Sequence, residues 1–149
     1  PGCTDNYRSI RAQFHLVDDN GIQRLFLSDI DQSNLILYVK GSLDKTAAIN
    51  VEEYLLGVVP YEMSSSYPIE ALKAQAVSAR TYTMRAMNAR SGYQYDLGDT
   101  SSDQVYKGYT GSVSNATKAV DQTKGIIVMN DGALTGTYYT ASNGGQTEA

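Results

Sequence analysis

The 149-residue chain is 42% hydrophobic and 19% charged, long enough to bury a core in one domain. A net charge of −4 gives no electrostatic reason to bind nucleic acid or an anionic membrane. One cysteine (Cys3) and one histidine (His15) exclude an internal disulfide, an ordinary zinc site and the Ser/His/Asp or Cys/His nucleophilic sets. The chain has 12 tyrosines and no tryptophan. Tyrosine combines an apolar ring with a hydroxyl, which suits both strands and sugar-lined clefts.

In chain order, Ser9–Val17 is β-compatible and Asp18-Asp19-Asn20-Gly21 is a turn signal, with Ile22–Leu27 as the returning strand. Leu35–Val39 is a short apolar run closed by Lys40-Gly41, predicting a buried strand. Asn50, with Glu53 three residues on, resembles a capping box, and Val51, Leu55, Val58 and Val59 follow at helical spacing. Pro60 predicts that this helix ends or kinks there, just before Tyr61-Glu62-Met63. Pro68 opens a second helix over Ile69–Ala89, whose many alanines and apolar stripe predict a buried central helix approached closely by its neighbours. Gln104-Val105-Tyr106 reads as a short strand, and Ser114–Lys124 as a third helix stopped by Gly125. Ile126–Met129 and Ala133–Thr140 flank Asn130-Asp131-Gly132 and predict a hairpin. The expected fold class is α+β: antiparallel strands from both ends packed around the alanine-rich helix, with one or two further helices. The predicted organisation is a β-rich N-terminal segment (1–48) and a domain over 49–149, with a cleft near Glu62 and Ser142.

With no phosphate-binding loop or metal-ligand cluster, proton chemistry falls to carboxylates, lysine or tyrosine. Glu62 stands out by position: it follows a proline-marked helix, is flanked by Tyr61 and Met63, and faces the buried helix. An apolar setting raises a carboxyl pKa and lets a glutamic acid act as general acid; a surface glutamate near a helix end is the plainer alternative. Lys73 and Arg80, seven apart in the same helix, share one face.

Val51–Val59 with Glu62-Met63, then Pro68–Tyr82, resemble the stage II sporulation protein D (SpoIID/LytB) pattern V-E-E-Y-L-x-G-V-V-x-x-E-M … P-x-E-A-L-K-A-Q-A-V-A-A-R-T-Y. Asp99-Thr100 with Gln104-Val105-Tyr106 looks like its D-T-x-x-x-Q-V-Y element, and Lys124-Gly125 and Ala141–Glu148 match later landmarks. The resemblance implies a peptidoglycan lytic transglycosylase, with Glu62 as its catalytic acid and then base, acting on glycan strands outside the cytoplasmic membrane. It implies that Lys73 and Arg80 bear on activity, holding an acetamido or lactyl group or restoring the carboxylate's charge balance after proton transfer; two solvated basic residues on an amphipathic helix are the plainer alternative. Gln75, Tyr82, Gln104, Tyr106 and Ser142 are candidates for cleft hydrogen bonds or for packing. An N-acetylmuramoyl-L-alanine amidase is a candidate partner, since some relatives are amidase enhancers; a non-catalytic enhancer or glycan-binding module is the rival reading. Where some members carry His-Cys as part of a zinc site, this chain has Ser102-Asp103, so no metal or other cofactor is expected. Family domains continue past the Gly144-Gly145 landmark, so the chain is expected to be C-terminally truncated.

Overall fold

The computed structural model describes residues 16–17, 23–26, 35–41, 45–142 and 144–145. The expected Asp18–Gly21 turn, most of the Ser9–Val17 strand including His15, and residues 143 and 146–149 lie outside them.

The apolar run Leu35–Val39 and its partner form the first well-packed hairpin. Strand β3 (Ile36–Lys40) pairs antiparallel with β4 (Thr46–Asn50), with Tyr38 opposite Ala48. Leu35, Leu37 and Val39 are buried while the alternate residues are half-buried, so β3 presents one face to the core rather than being covered on both. Its other edge takes β5 (Leu97–Gly98) in parallel, the one departure from antiparallel pairing among the described strands. The second sheet runs β1 (Leu16–Val17), β2 (Gln23–Phe26), β6 (Ile126–Asn130), β7 (Ala133–Leu134), all antiparallel. Leu16 opposite Arg24 is the register of the expected N-terminal hairpin. The β2–β6 pairing, Arg24 opposite Val128, joins the two ends of the chain in one sheet. The turn between β6 and β7 has positive φ at Asp131 (48°) and Gly132 (73°), as a two-residue hairpin of matching twist requires.

Four helices complete the described α+β fold. In α1 (Val51–Leu56) the Asn50 side chain caps the Glu52 N–H, one residue short of the expected bond. The helix stops at Gly57 rather than at Pro60, and Pro60 instead sits in the first turn of a new helix, α2 (Val59–Glu62). The physical reason is that a first-turn N–H has no partner to lose, so proline starts a helix more easily than it ends one. Helix α3 spans Ile69–Ala89 as expected. Its Ala76 and Ala79 are fully buried, as are Ala116 and Ala119 of α4 (Asn115–Gln122), and these small side chains let the helices approach closely. Ser114 and Thr117 close a reciprocal cap at the start of α4. On the sheet side, the Thr81 hydroxyl donates to Val77 O and accepts from Val128 N–H at 3.0 Å, tying β6 to α3.

Candidate active site

Glu62 ends α2, a helix of one turn wedged by the fully buried Val58 and Val59. The segment that follows β5 is laid against it. Val105 N–H donates to Glu62 Oε1 at 2.9 Å, Tyr106 N–H to Asp99 O, and Lys107 N–H to Gly57 O. Those amides are spent on three separate acceptors, which is why the expected strand over Gln104–Tyr106 does not form. The close approach depends on Gly57: a Cβ there would lie 2.6 Å from Tyr106 Cε2 and 3.0 Å from the Gly108 carbonyl carbon. Tyr106 in turn stacks on Tyr54, with ring centroids 5.0 Å apart.

The Glu62 carboxyl is half-exposed, and no Lys, Arg or His pairs with it among the described residues. Glu52 and Glu70, by contrast, are engaged by Arg80 and Lys73. Tyr139 stands beside Glu62: burial, then the negative charge of Glu62, pushes its phenol pKa well above the ordinary range. Gln104, fully buried, orients that phenol. Its Nε2 donates to Ala79 O (3.2 Å) and to Tyr139 Oη (3.1 Å), while its Oε1 accepts from the Thr83 hydroxyl (2.8 Å). A carbonyl can only accept, so Ala79 O fixes which end of the amide is NH₂. Tyr139 Oη therefore accepts from Gln104 and keeps its own proton to donate toward Glu62. Tyr54, also electrostatically coupled to Glu62 and Tyr139, is buried with its hydroxyl unpartnered; burial first, then these neighbours, keeps its phenol neutral.

Asp103 anchors the loop that carries Gln104 and Val105. Its two oxygens accept from Arg90 Nη1 (2.9 Å) and Nη2 (2.8 Å), from Gly98 N–H (2.8 Å) and from Tyr82 Oη (3.3 Å). Burial raises its pKa, but the Arg90 guanidinium, the Gly98 N–H and the Tyr82 hydroxyl outweigh that and hold it below the usual carboxylate range. Ser102 is exposed, and Asp103, at the position of a metal-binding cysteine in some relatives, has its lone pairs filled by four donors. These residues do not fit a zinc ion, and no cluster of three His, Cys, Asp or Glu occurs among the described residues.

The structure thus links Gln104 to Glu62 through Tyr139, leaves the Tyr106 ring stacked on Tyr54, and holds Tyr82 on the Asp103 side. It does not bring Arg80 to Glu62. Arg80 is fully buried, with Nε on Glu52 Oε1 (2.8 Å), Nη2 on Glu52 Oε2 (2.9 Å) and Val120 O (3.3 Å), and Nη1 on Ile126 O (3.1 Å) and Thr123 Oγ1 (3.4 Å). All five of its donors are in use, so it is a clamp between α1, α3 and the end of α4. Lys73 is half-exposed and pairs with Glu70 one turn earlier. Gln75 is buried with its Nε2 unpartnered, and Ser142 lies in an exposed turn where its Oγ accepts from Gly144 N–H. Tyr139 was not singled out from sequence. Its signal is the alternation after Leu134, in which Thr135, Thr137 and Tyr139 are half-buried and Gly136, Tyr138 and Thr140 exposed. The regular strand is Ala133–Leu134, shorter than the expected Ala133–Thr140; Thr135 N–H still donates to Val128 O, and further on the Thr137 hydroxyl donates to Ser78 O on α3.

Comparison with known proteins agrees with the motif reading. The stage II sporulation protein (SpoIID) family model matches residues 39–130. The amidase enhancer of Bacillus subtilis is 46% identical over 95 residues, covering 64% of this chain and 12% of that protein. Stage II sporulation protein D of the same organism is 36% identical over 112 residues, covering 64% of this chain and 33% of its own. An uncharacterised protein of Brachyspira hyodysenteriae is 40% identical over 102 residues, 68% of this chain and 28% of the relative. The chain thus spans a third or less of the length of these relatives. With the family match covering well over half of its residues, this chain belongs to the stage II sporulation protein D family.

Proposed function

We propose that this domain is a peptidoglycan lytic transglycosylase, cleaving the bond between N-acetylmuramic acid and N-acetylglucosamine in glycan strands. The observation that carries this reading is the Glu62 carboxyl, solvent-reachable and free of any ion pair among the described residues, with one oxygen held by Val105 N–H. As the C1–O bond of the muramic residue breaks, the Glu62 proton goes to the departing glycosidic oxygen, which leaves as the 4-hydroxyl of N-acetylglucosamine. The Glu62 carboxylate then takes the proton of the muramic 6-hydroxyl, whose oxygen bonds to C1 and closes a 1,6-anhydro ring. No water is consumed and Glu62 ends as it began. One carboxyl group suffices, because the internal hydroxyl replaces the water or nucleophile that a second carboxylate manages in ordinary glycosidases. Tyr139, held by Gln104, donates to the carboxylate formed between the two proton transfers, and Val105 N–H fixes its orientation.

Such a substrate places the protein in the cell envelope, outside the cytoplasmic membrane. The second reading is a non-catalytic amidase enhancer or peptidoglycan-binding module, favoured by the 46% identity to a protein named amidase enhancer, with an N-acetylmuramoyl-L-alanine amidase as partner. Digestion of glycan strands stripped of stem peptides separates the readings by product mass. Ends one water lighter than hydrolytic ends support the transglycosylase; reducing ends indicate a hydrolase. An intact, full-length protein that yields neither supports the enhancer or binder.

A further inference from the structure

Tyr54 of α1 is fully buried, and its hydroxyl has no hydrogen-bond partner among the described residues. Phenylalanine would fill the same space without leaving a polar group dry, so packing alone does not account for the oxygen. The ring is held against Tyr106, with centroids 5.0 Å apart and planes 24° apart, and Tyr106 follows directly on the Val105 amide that bonds Glu62. Tyr106 and Tyr139 both pack against the core cluster to which Tyr54 belongs. Burial first, then Tyr139, Asp103, Tyr82 and Glu62 in that order, oppose loss of the Tyr54 proton, so the phenol remains a donor. The other donors around Glu62 are engaged. Gln104 Nε2 gives one hydrogen to Ala79 O and one to Tyr139 Oη, and Val105 N–H is on Glu62 Oε1. A hydroxyl oxygen has two lone pairs, and Tyr139 Oη uses one of them for Gln104. Asp103, the next group to Tyr54, has its oxygens filled by Arg90, Gly98 and Tyr82.

We propose that Tyr54 is a positioning residue for the Glu62 acid, its hydroxyl donating to Tyr139 Oη while Tyr139 donates to the Glu62 carboxylate. This inference rests on the transglycosylase reading, in which Glu62 passes through that carboxylate between its two proton transfers. Tyr54 and Tyr139 keep their own protons throughout, and only the hydrogen bonds strengthen. With Glu62 uncharged, Tyr139 draws little on a further donor. With Glu62 ionised, the bond that Tyr139 gives polarises its oxygen, and a second donor on that oxygen strengthens the whole chain. The Tyr106 stack and complete burial fix the Tyr54 ring, so the donation asks for a turn of the O–H bond and a local adjustment rather than a rearranged site. A hydroxyl kept dry and unpartnered is thereby a donor in reserve for the charge that develops on Glu62.

Tyr54→Phe keeps the ring against Tyr106 and removes only the oxygen. In full-length protein acting on glycan strands, kcat for anhydro ends should fall about three- to tenfold with KM unchanged. Because Tyr54 acts through Tyr139, adding Tyr54→Phe to Tyr139→Phe should lower kcat no further, whereas independent roles would multiply. Thermal melts at about pH 8, above the ordinary glutamate range, read the same contact without turnover. There Tyr54→Phe should lower the melting temperature of protein with Glu62 intact, and leave it equal or higher in the Glu62→Gln background, where no charge draws on the hydroxyl. The same change in both backgrounds, multiplied losses with Tyr139→Phe, or an unaltered kcat would overturn the proposal. Unmutated protein that forms no anhydro ends overturns the transglycosylase instead, and the melts still decide whether Tyr54 answers the Glu62 charge. Anhydro ends with equal melts in the two backgrounds do the reverse.

Discussion

Arg80 and Glu52 meet in a two-pronged ion pair, Nε to Oε1 at 2.8 Å and Nη2 to Oε2 at 2.9 Å, with the arginine side chain wholly buried. Glu52 Oε1 also accepts from Gly125 N–H, so the pair gathers the start of α1, the middle of α3 and the loop after α4. Removing one partner strands a buried charge, and Arg80→Ala should cost about 3–5 kcal/mol. Arg80→Lys should also destabilise, since one ammonium cannot reproduce five donors in a fork. Thermal melts check both. Activity per folded molecule, measured below the melting range, should stay near that of the unmutated protein; a large specific loss with an unchanged melt would return Arg80 to the cleft.

Glu62→Gln keeps an oxygen for the Val105 N–H and removes only the proton chemistry. Formation of anhydro ends should fall by a factor of roughly 10²–10⁴, the usual range for a general acid, with little change in melting temperature. Glu62→Ala should lose activity equally and also destabilise by about 1 kcal/mol, because it leaves the Val105 amide without its acceptor. Full activity in Glu62→Gln would refute the assignment.

Tyr139→Phe tests the hydroxyl while keeping the ring. Its Oη accepts from Gln104 Nε2, so the change leaves a donor in the buried Gln104 unmet and should destabilise by about 1–3 kcal/mol. Rate should fall further than stability explains, roughly 10-fold or more for the loss of a donor to a developing carboxylate. A loss confined to KM would argue that Tyr139 merely lines the cleft.

Gly57→Ala introduces a Cβ 2.6 Å from the Tyr106 ring and 3.0 Å from backbone at Gly108. Gly57 has φ −97°, a conformation open to alanine, so the cost comes from the clash alone. The 105–107 segment must move outward, at about 1–3 kcal/mol. Because that segment carries the Val105 amide, activity should drop along with the melting temperature.

The acid limb of stability should depend on Asp103. Its folded pKa lies below the ordinary aspartate value of about 3.9, so its contribution is present above that pH and is lost as pH falls through the lower folded value. Asp96 has the opposite sign: burial chiefly raises its pKa, so its contribution is present at low pH and fades as pH rises through the raised value. Asp103→Asn should flatten the loss of stability below about pH 4, whereas Asp96→Asn should raise stability at neutral pH relative to the unmutated protein. Melting temperatures across pH 2–7 distinguish them.

Much of the local structure was legible because its causes are local. Helix α3 has its observed limits in the alanine-rich run after Pro68, the β6–β7 turn follows from Asp131-Gly132, and Ser114 caps α4 as its residue type implies. The failures share a cause, competition by distant partners. The Val105, Tyr106 and Lys107 amides leave a β-compatible stretch to bond Glu62, Asp99 and Gly57, and the Tyr106 ring lies where a Cβ at Gly57 would be.

For the site, the linear motif was sufficient to single out Glu62, since its spacing from Val51–Val59 and Pro68–Tyr82 is written in the chain. The same motif placed Lys73 and Arg80 about two turns apart on one helix face, and helical spacing could not say whether that face meets substrate or another helix. Only the tertiary structure decided that Arg80 is spent on Glu52 and that Tyr139, Gln104 and Val105 converge on Glu62 from 42 or more residues away. Residue type and spacing fix which groups are available. Long-range packing fixes which of their donors and acceptors are already satisfied, and chemistry is left to those that are not.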